Sequence, residues 1–523
     1  MKPILLFIIF SVTVHFNLNA QIIWQNTIGG NSFDHIEDVI PTSDGGFMLI
    51  GSSESGISGD KSEASKGAAD YWIVKTNSSG VVQWDKTYGG SGDDYAVTAI
   101  ETADGSFVIL GDSDSDISGD KSENSKGNSD FWLVKISSTG TIIWDKTLGG
   151  SGYEYAVSLR ETPTNDLMVV GDSDSDISGD KSENSRGFTD VWVVKTNGSG
   201  SKTWDKTLGG DADEETTVIE LTADGGYILG VIAESGISGD KTINTSNNED
   251  YWVIKINASN TIDWQKTYGG TSEAISILTV LMPTDDGGYI LAGDSDSNIG
   301  GDKTENSKGE SDLWVLKINS TGTIEWQSTL GGDSFEYEPS GFKKAGGGYV
   351  FACTSSSNIS GDKTESSNGD DIWLVELDSN GNLVGEKTFG TGSDEFPQQV
   401  LQTSDGHFII VSDVDEASGD NTEAPNGDSD YWLFKVNNST LSLEENKFMQ
   451  HRVSVFPNPT SGNVNIKTNQ KIEGIEIFDV TGKLISTSKP INNTANISHL
   501  PQGLYVLRIY SKNGVVNQRI LKQ

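Results

Sequence analysis

Residues 84–111 read WDKTYGGSGDDYAVTAIETADGSFVILG, and this stretch returns, lightly varied, along most of the chain. A segment W-x-[KNS]-T-x-G-G begins at Trp24, Trp84, Trp144, Trp204, Trp264 and Trp326. A seventh copy has Gly385 at the Trp position and reads G-E-K-T-F-G. The intervals are 60, 60, 60, 60, 62 and 59 residues. A second series, Asp and a hydrophobic residue before Trp, falls at Trp72, Trp132, Trp192, Trp252, Trp314, Trp373 and Trp432. Self-similarity at a fixed period of this length marks a repeat array rather than several unrelated domains.

Each unit holds four strand candidates. In the second they are Tyr95 to Glu101, Phe107 to Gly111, Phe131 to Ile136 and Thr141 to Trp144. Asp104-Gly105 and Thr139-Gly140 mark tight turns, where glycine accepts positive φ without steric cost. The strands are apolar on both faces, as sheets sandwiched between neighbours require. No segment sustains a 3.6-residue period, so the class is all-β. The array opens on a lone fourth strand, Gln21 to Thr27, and closes on a lone third strand, Tyr431 to Val436. Pairing the two completes the last unit and removes two open sheet edges. The expected architecture is a seven-bladed β-propeller of four-stranded blades over residues 21–437, closed by its N-terminal strand. In these motifs the chain resembles the bacterial seven-bladed propeller repeat family, whose pattern specifies fold far better than function.

The chain is strongly acidic, with 76 Asp and Glu against 36 Lys and Arg and a net charge of -40. That field argues against nucleic acid and anionic membrane surfaces as partners. The recurring aromatics argue against disorder. Residues 1–20 read as a signal peptide: Lys2, an apolar stretch from Ile4 to Val14, then Leu18-Asn19-Ala20 as a cleavage site. No later run is apolar enough for a transmembrane segment. The one cysteine, Cys353, sits where the second unit has Gly111 and is read as a small buried residue.

A linker over 438–452 precedes a compositional change. Residues 453–523 carry eight Lys and Arg against three acids, a net +5, which leaves -45 on the residues before them. Short alternating strands with T-G and Q-G turns suggest a compact β-sandwich. Phe456-Pro457-Asn458-Pro459, Asp479 to Lys483 and Gly503-Leu504-Tyr505 resemble, in order and spacing, the C-terminal sorting domain of type IX secretion substrates in the Bacteroidetes. The resemblance implies a secreted or cell-surface protein whose tail is recognised by the type IX machinery, released or surface-attached thereafter.

The loops between second and third strands supply the metal-site candidates. The second unit reads D-S-D-S-D-I-S-G-D-K-S-E, placing Asp112, Asp114, Asp116, Asp120 and Glu123 at positions 1, 3, 5, 9 and 12 of an EF-hand-like calcium loop. The third offers Asp172, Asp174, Asp176, Asp180 and Glu183; the fifth offers Asp294, Asp296, Asn298, Asp302 and Glu305. Position 6, glycine in that loop, is Ile117, Ile177 and Ile299. The competing reading is a structural turn, because Gly-Asp recurs in every unit. With few histidines and no nucleophile motif, catalysis is less expected than binding. The favoured function is a monomeric binding or adhesion propeller for a glycan or protein. The alternative is an extracellular glycosidase-like enzyme using carboxylates on the propeller face.

Overall fold

The computed structural model describes residues 22–244, 250–270, 275–438, 454–456, 458–467, 471–479, 483–488, 494–511 and 514–523. The expected signal peptide and nearly all of the expected linker lie outside them. The chain divides into two compact units, residues 1–441 and 442–523. Among the described residues both are all-β, and no helix is long and apolar enough to cross a membrane.

In the first unit each repeat becomes one four-stranded antiparallel sheet. The second sheet comprises Asp94–Glu101, Phe107–Ser113, Asp130–Ile136 and Ile142–Leu148, hydrogen-bonded in that order. The fourth strand runs past the expected Trp144 through Asp145-Lys146-Thr147, a polar run that a hydrophobic pattern misses. Its polar groups are satisfied inside the sheet: Asp145 Oδ2 accepts Trp132 Nε1 at 3.2 Å and the Ser122 amide at 2.9 Å. Sheets one to six repeat this plan, and the seventh is completed as expected by the first strand of the chain. Ile22–Ile28 pairs antiparallel with Asp430–Val436, Ile22 opposite Val436 and Ile28 opposite Tyr431. The first strand of every sheet packs against the first strand of the next, and Pro397–Gln402 packs back against Asp34–Pro41. The sheets therefore form a propeller-type ring with their first strands innermost.

The core lies between sheets. Second and third strands are buried on both faces, and Trp72, Trp132, Trp192, Trp252, Trp314, Trp373 and Trp432 are wholly buried. These indoles are core packing residues and not a surface for ligand. Cys353 is buried opposite Trp373, the register of Gly111 opposite Trp132. A buried cation accompanies most of these indoles. The Lys of Gly-Asp-Lys (Lys61, Lys121, Lys181, Lys241, Lys303, Lys363) is buried in six sheets, with Asn421 in the seventh. Five of these ammonium groups stand 5.3–5.6 Å from the Trp ring centroid, a desolvated cation–π contact. Hydroxyls complete the ammonium shells, as where Lys121 Nζ donates to Thr147 Oγ1 at 2.8 Å. Burial lowers the Lys61, Lys241 and Lys303 ammonium groups to about 8.

The first Gly of each Gly-Gly pair marks where sheets meet. A Cβ on Gly149 would stand 1.7 Å from Asp130 Oδ1 and 2.7 Å from Glu154 Oε2. Neither carboxyl has room to retreat. Gly149→Ala is therefore expected to destabilise the first unit by about 2 kcal/mol, the usual cost of overpacking. Urea unfolding checks this, and an unchanged midpoint would contradict the packing.

The second unit holds two sheets. One contains Ser454–Phe456, Asn463–Lys467 and Thr494–Asn496; the other contains Ile472–Asp479, Leu484–Ser488, Gly503–Ser511 and Gly514–Lys522. Both contribute to one core, including Val464, Ile466, Ala495, Ile475, Ile477, Leu507 and Ile520, which makes the expected small sandwich. Of the resemblance motifs, Asn458 Oδ1 accepts the Leu521 amide at 2.9 Å and Tyr505 donates to Pro501 O at 3.0 Å. Pro457 and residues 480–482 lie outside the described residues.

Candidate functional site

A buried acid or Ser opens the first strand of six sheets and, as Glu395, just precedes that of the seventh, and the next residue faces outward. The buried residues are Asp34, Asp94, Glu154, Glu214, Ser276, Glu336 and Glu395. The outward ones are His35, Tyr95, Tyr155, Glu215, Ile277, Tyr337 and Phe396. The residue before each buried position faces out as well, as Phe33, Tyr153, Ile275 and Phe335 in four sheets. Because first strands are innermost, these positions form a crown around one mouth of the ring. Tyr95 and Tyr155 are each 49% exposed and Tyr153 43%, unusual for aromatic side chains on rigid strand ends. The rings of Tyr153 and Tyr155 lie parallel, 4° apart with centroids at 5.9 Å.

Below the crown the inner strands of sheets three to seven line a cavity of about 710 Å³. Its polar lining includes Arg160, Glu220, Thr279, Glu338, Lys343 and Gln399. Arg160 Nη2 meets Glu220 Oε1 at 2.6 Å, and Thr279 donates to Pro339 O at 2.6 Å. Glu338 is held at φ 50°, a conformation uncommon for a residue with a side chain. Burial, and then the charge of Glu37, raises its carboxyl. His35 lies between Asp413 and Glu37, with Nε2 3.1 Å from Glu37 Oε1. Its hydrogen bonds, first to Asp413 and then to Glu37, raise the imidazole to about 10, so it is a cation at neutral pH.

The calcium-loop candidates take separate partners. Position 1 lies within the end of the second strand and reaches into the next sheet. Asp112 Oδ1 accepts the Ala156 amide at 2.5 Å, Asp172 the Thr216 amide at 2.7 Å and Asp294 the Glu338 amide at 3.4 Å. Each of those amides borders a register shift in its strand, so the carboxylate satisfies a donor that the ladder leaves over. Burial pushes Asp112 up to about 8, Asp172 to about 7 and Asp294 to about 6. Position 3 turns to its own sheet: Asp114, Asp174 and Asp296 accept the amides of Asp93, Tyr153 and Ile275 at 2.6–2.7 Å. These bonds hold the backbone that carries the crown.

Position 5, Asp116, Asp176 and Asn298, stands exposed at the loop tip. Position 9 folds under the Gly-Gly turn: the amides of Asp120, Asp180 and Asp302 donate to Gly89, Gly149 and Gly269 O at 2.8–2.9 Å. Lys66 pairs with Asp120 and Lys126 with Asp180. Position 12 caps the fourth strand, with Glu123, Glu183 and Glu305 accepting the amides of Thr147, Thr207 and Thr329 at 3.0–3.2 Å. Among the described residues no three or more carboxylates, histidines or cysteines are grouped to hold a metal ion. The structure assembles a crown of aromatics and acids instead. The sequence carried one signal for it: these are positions where near-identical repeats disagree.

Comparison with known proteins assigns the tail. Residues 454–523 match the secretion system C-terminal sorting domain. Over 176 residues, 32% of this chain, the protein is 27% identical to an endo-acting ulvan lyase of Formosa agariphila. Over 163 residues, 30% of the chain, it is 23% identical to the regulatory protein FlaEY of Caulobacter vibrioides. The matches span 29% and 17% of those relatives. Among solved structures, a protein of unknown function from Dyadobacter fermentans is similar over 80% of this chain and 99% of its own, at 10% identity and TM-score 0.39. PorZ, a surface component of the type IX secretion system of Porphyromonas gingivalis, is similar over 96% of this chain and 75% of its own, at 10% identity and TM-score 0.25. The C-terminal tail, residues 454–523, is thus a type IX secretion sorting domain, and the protein it terminates is delivered to the outer cell surface or beyond it.

Proposed function

We propose that the ring is a closed seven-bladed β-propeller that binds a neutral glycan at its aromatic crown, outside the cell. The observation that carries this reading is the exposed Tyr95, Tyr153 and Tyr155 at one mouth, bordered by acids. Aromatic faces pack on the C–H faces of sugar rings, and carboxylates accept hydroxyl hydrogen bonds. Charge selects within the class, since -45 on residues 1–452 repels polyanions. The partial match to an endo-acting ulvan lyase supports a carbohydrate-related role.

The test is retention of the secreted protein on insoluble neutral and anionic polysaccharides, with soluble product measured in the same samples. Retention on a neutral polymer is expected without product. The double variant Tyr153→Ala, Tyr155→Ala is expected to lose about 2 kcal/mol of binding, ~30-fold in affinity, at an unchanged thermal midpoint. Equal retention of variant and wild type would reject the crown as the binding surface.

A second reading, glycoside cleavage, rests on Glu338, the strained and raised carboxyl beside the Glu37 charge in a setting that no other sheet repeats. Product release abolished by Glu338→Gln would replace the binding reading with this one. Calcium remains a ligand to test in the same assay. A requirement for it would assign the exposed Asp116 and Asp176 tips a role beyond the loop bonds described.

A further inference from the structure

Buried acids meet in pairs at six of the seven sheet junctions. The Asp that opens a third strand faces the acid at the start of the first strand of the next sheet. At the junction of sheets five and six, Asp312 and Glu336 are both wholly buried. A Cβ on Gly331 would lie 1.9 Å from Asp312 Oδ1 and 2.3 Å from Glu336 Oε2, so the two oxygens confront each other across a bare backbone. Asp312 Oδ2 accepts the Lys308 amide, and Glu336 accepts the Gly332 amide at 2.8 Å and the Ser355 hydroxyl at 2.6 Å. Among the described residues Asp312 Oδ1 has no hydrogen-bond donor. The same orphaned Oδ1 recurs at Asp130 facing Glu154, Asp190 facing Glu214 and Asp371 facing Glu395. At two more junctions both acids are Asp, burial and then the charge of Asp70 raising Asp94, and burial and then the charge of Asp34 raising Asp430. At the remaining junction Ser276 takes the second acid's place.

The charges do not balance without further positive charge. Thirteen buried acids of these two series stand against six buried lysines, and the partly exposed Lys66, Arg186 and Lys308 beside Asp70, Asp190 and Asp312 do not close the difference. Two carboxylates this close cannot both ionise cheaply in a dry site. We infer that each of the four Asp–Glu pairs holds one proton in the folded protein near pH 6, one carboxyl donating its O–H to the ionised oxygen of the other. That proton supplies the donor Asp312 Oδ1 lacks.

Burial raises the acids in question: Glu336 and Glu395 to about 7, and Asp94, Asp371 and Asp430 to about 6. Around the Asp312–Glu336 pair the other titratable groups are Lys303 and Lys308 beside Asp312, and Lys363 and the Cys353 thiol beside Glu336. Acids raised on folding bind protons that the unfolded chain has released. Stability is therefore fully present below the unfolded values and falls as pH rises through about 6 to 7.

The experiment uses the full-length secreted protein and Glu336→Gln, whose amide donates to Asp312 at every pH. The variant is expected to melt ~2 °C or more above wild type at pH 8, with the gap closing at pH 5. A variant that melts lower by the same amount at both pH values would overturn the proposal, because Glu336 would then serve as an ion. If the variant does not fold, the infrared spectrum of the wild-type protein at pH 6 decides. An un-ionised carboxyl C=O band is expected, lost on unfolding, and its absence overturns the shared protons.

Discussion

A chain that lacks residues 22–28 is expected to lose cooperative unfolding of its first unit and to associate at concentrations where the intact protein is dispersed. The deletion leaves Asp430–Val436 as an exposed edge, with the paired register from Val436 to Tyr431 opened to any other strand. It removes Ile28, 2% exposed, and Trp24 from the core they share with Tyr431 and Leu433. Trp432 Nε1 also loses Gln25 Oε1, its acceptor at 3.0 Å. Burial of the two hydrophobic side chains and the strand's ladder of backbone bonds together contribute on the order of 5–10 kcal/mol, comparable to the whole stability of a domain. Calorimetry and size-exclusion chromatography read the effect. Addition of a peptide spanning residues 22–28 is expected to restore part of the transition. An unchanged melting curve after the deletion would mean that the ring does not depend on closure.

Trp132→Ala is expected to cost about 3–5 kcal/mol, the range for truncating a large buried aromatic. Trp132 is wholly buried, with the Tyr71 ring 4.8 Å away and the Lys121 ammonium 5.5 Å from its centroid. The cavity would leave that ammonium without its aromatic face and Asp145 without the indole donor, so the loss falls toward the upper end. Trp144→Ala, on the partly exposed fourth strand, is expected to cost clearly less. Urea midpoints of the two variants compare them directly. Equal losses would remove the third-strand indole from its place at the centre of the sheet's packing.

The architecture was legible because seven copies report one register, so that an irregular unit such as the one holding Gly385 and Cys353 is outvoted by its neighbours. The candidate site was not, and the acidic loops show why. Carboxylates two residues apart read as a calcium loop when imagined on a curled backbone. Asp112, however, lies within the end of an extended strand that runs to Ser113, and Asp114 follows just beyond it. Their amide partners consequently belong to different sheets, Ala156 in the next and Asp93 in their own. The lysine of Gly-Asp-Lys was visible in six copies, but a charged residue in a polar loop gives no sign that its stem reaches into the core beneath a Trp. The crown escaped notice for the opposite reason. His35, Tyr95, Tyr155 and Glu215 share a position without sharing chemistry, and a search for what repeats passes over them.

Closure by Ile22–Ile28 ties the assembly of this protein to the order of its synthesis. The strand made first has no partner until residues 430–436 exist, some 400 residues later, and the sorting tail at 454–523 is made only after both. A chain cut short within the repeats lacks the means to close and also the address for export. Chain order therefore leaves an incomplete ring, with its adhesive edges, without the tail that directs export.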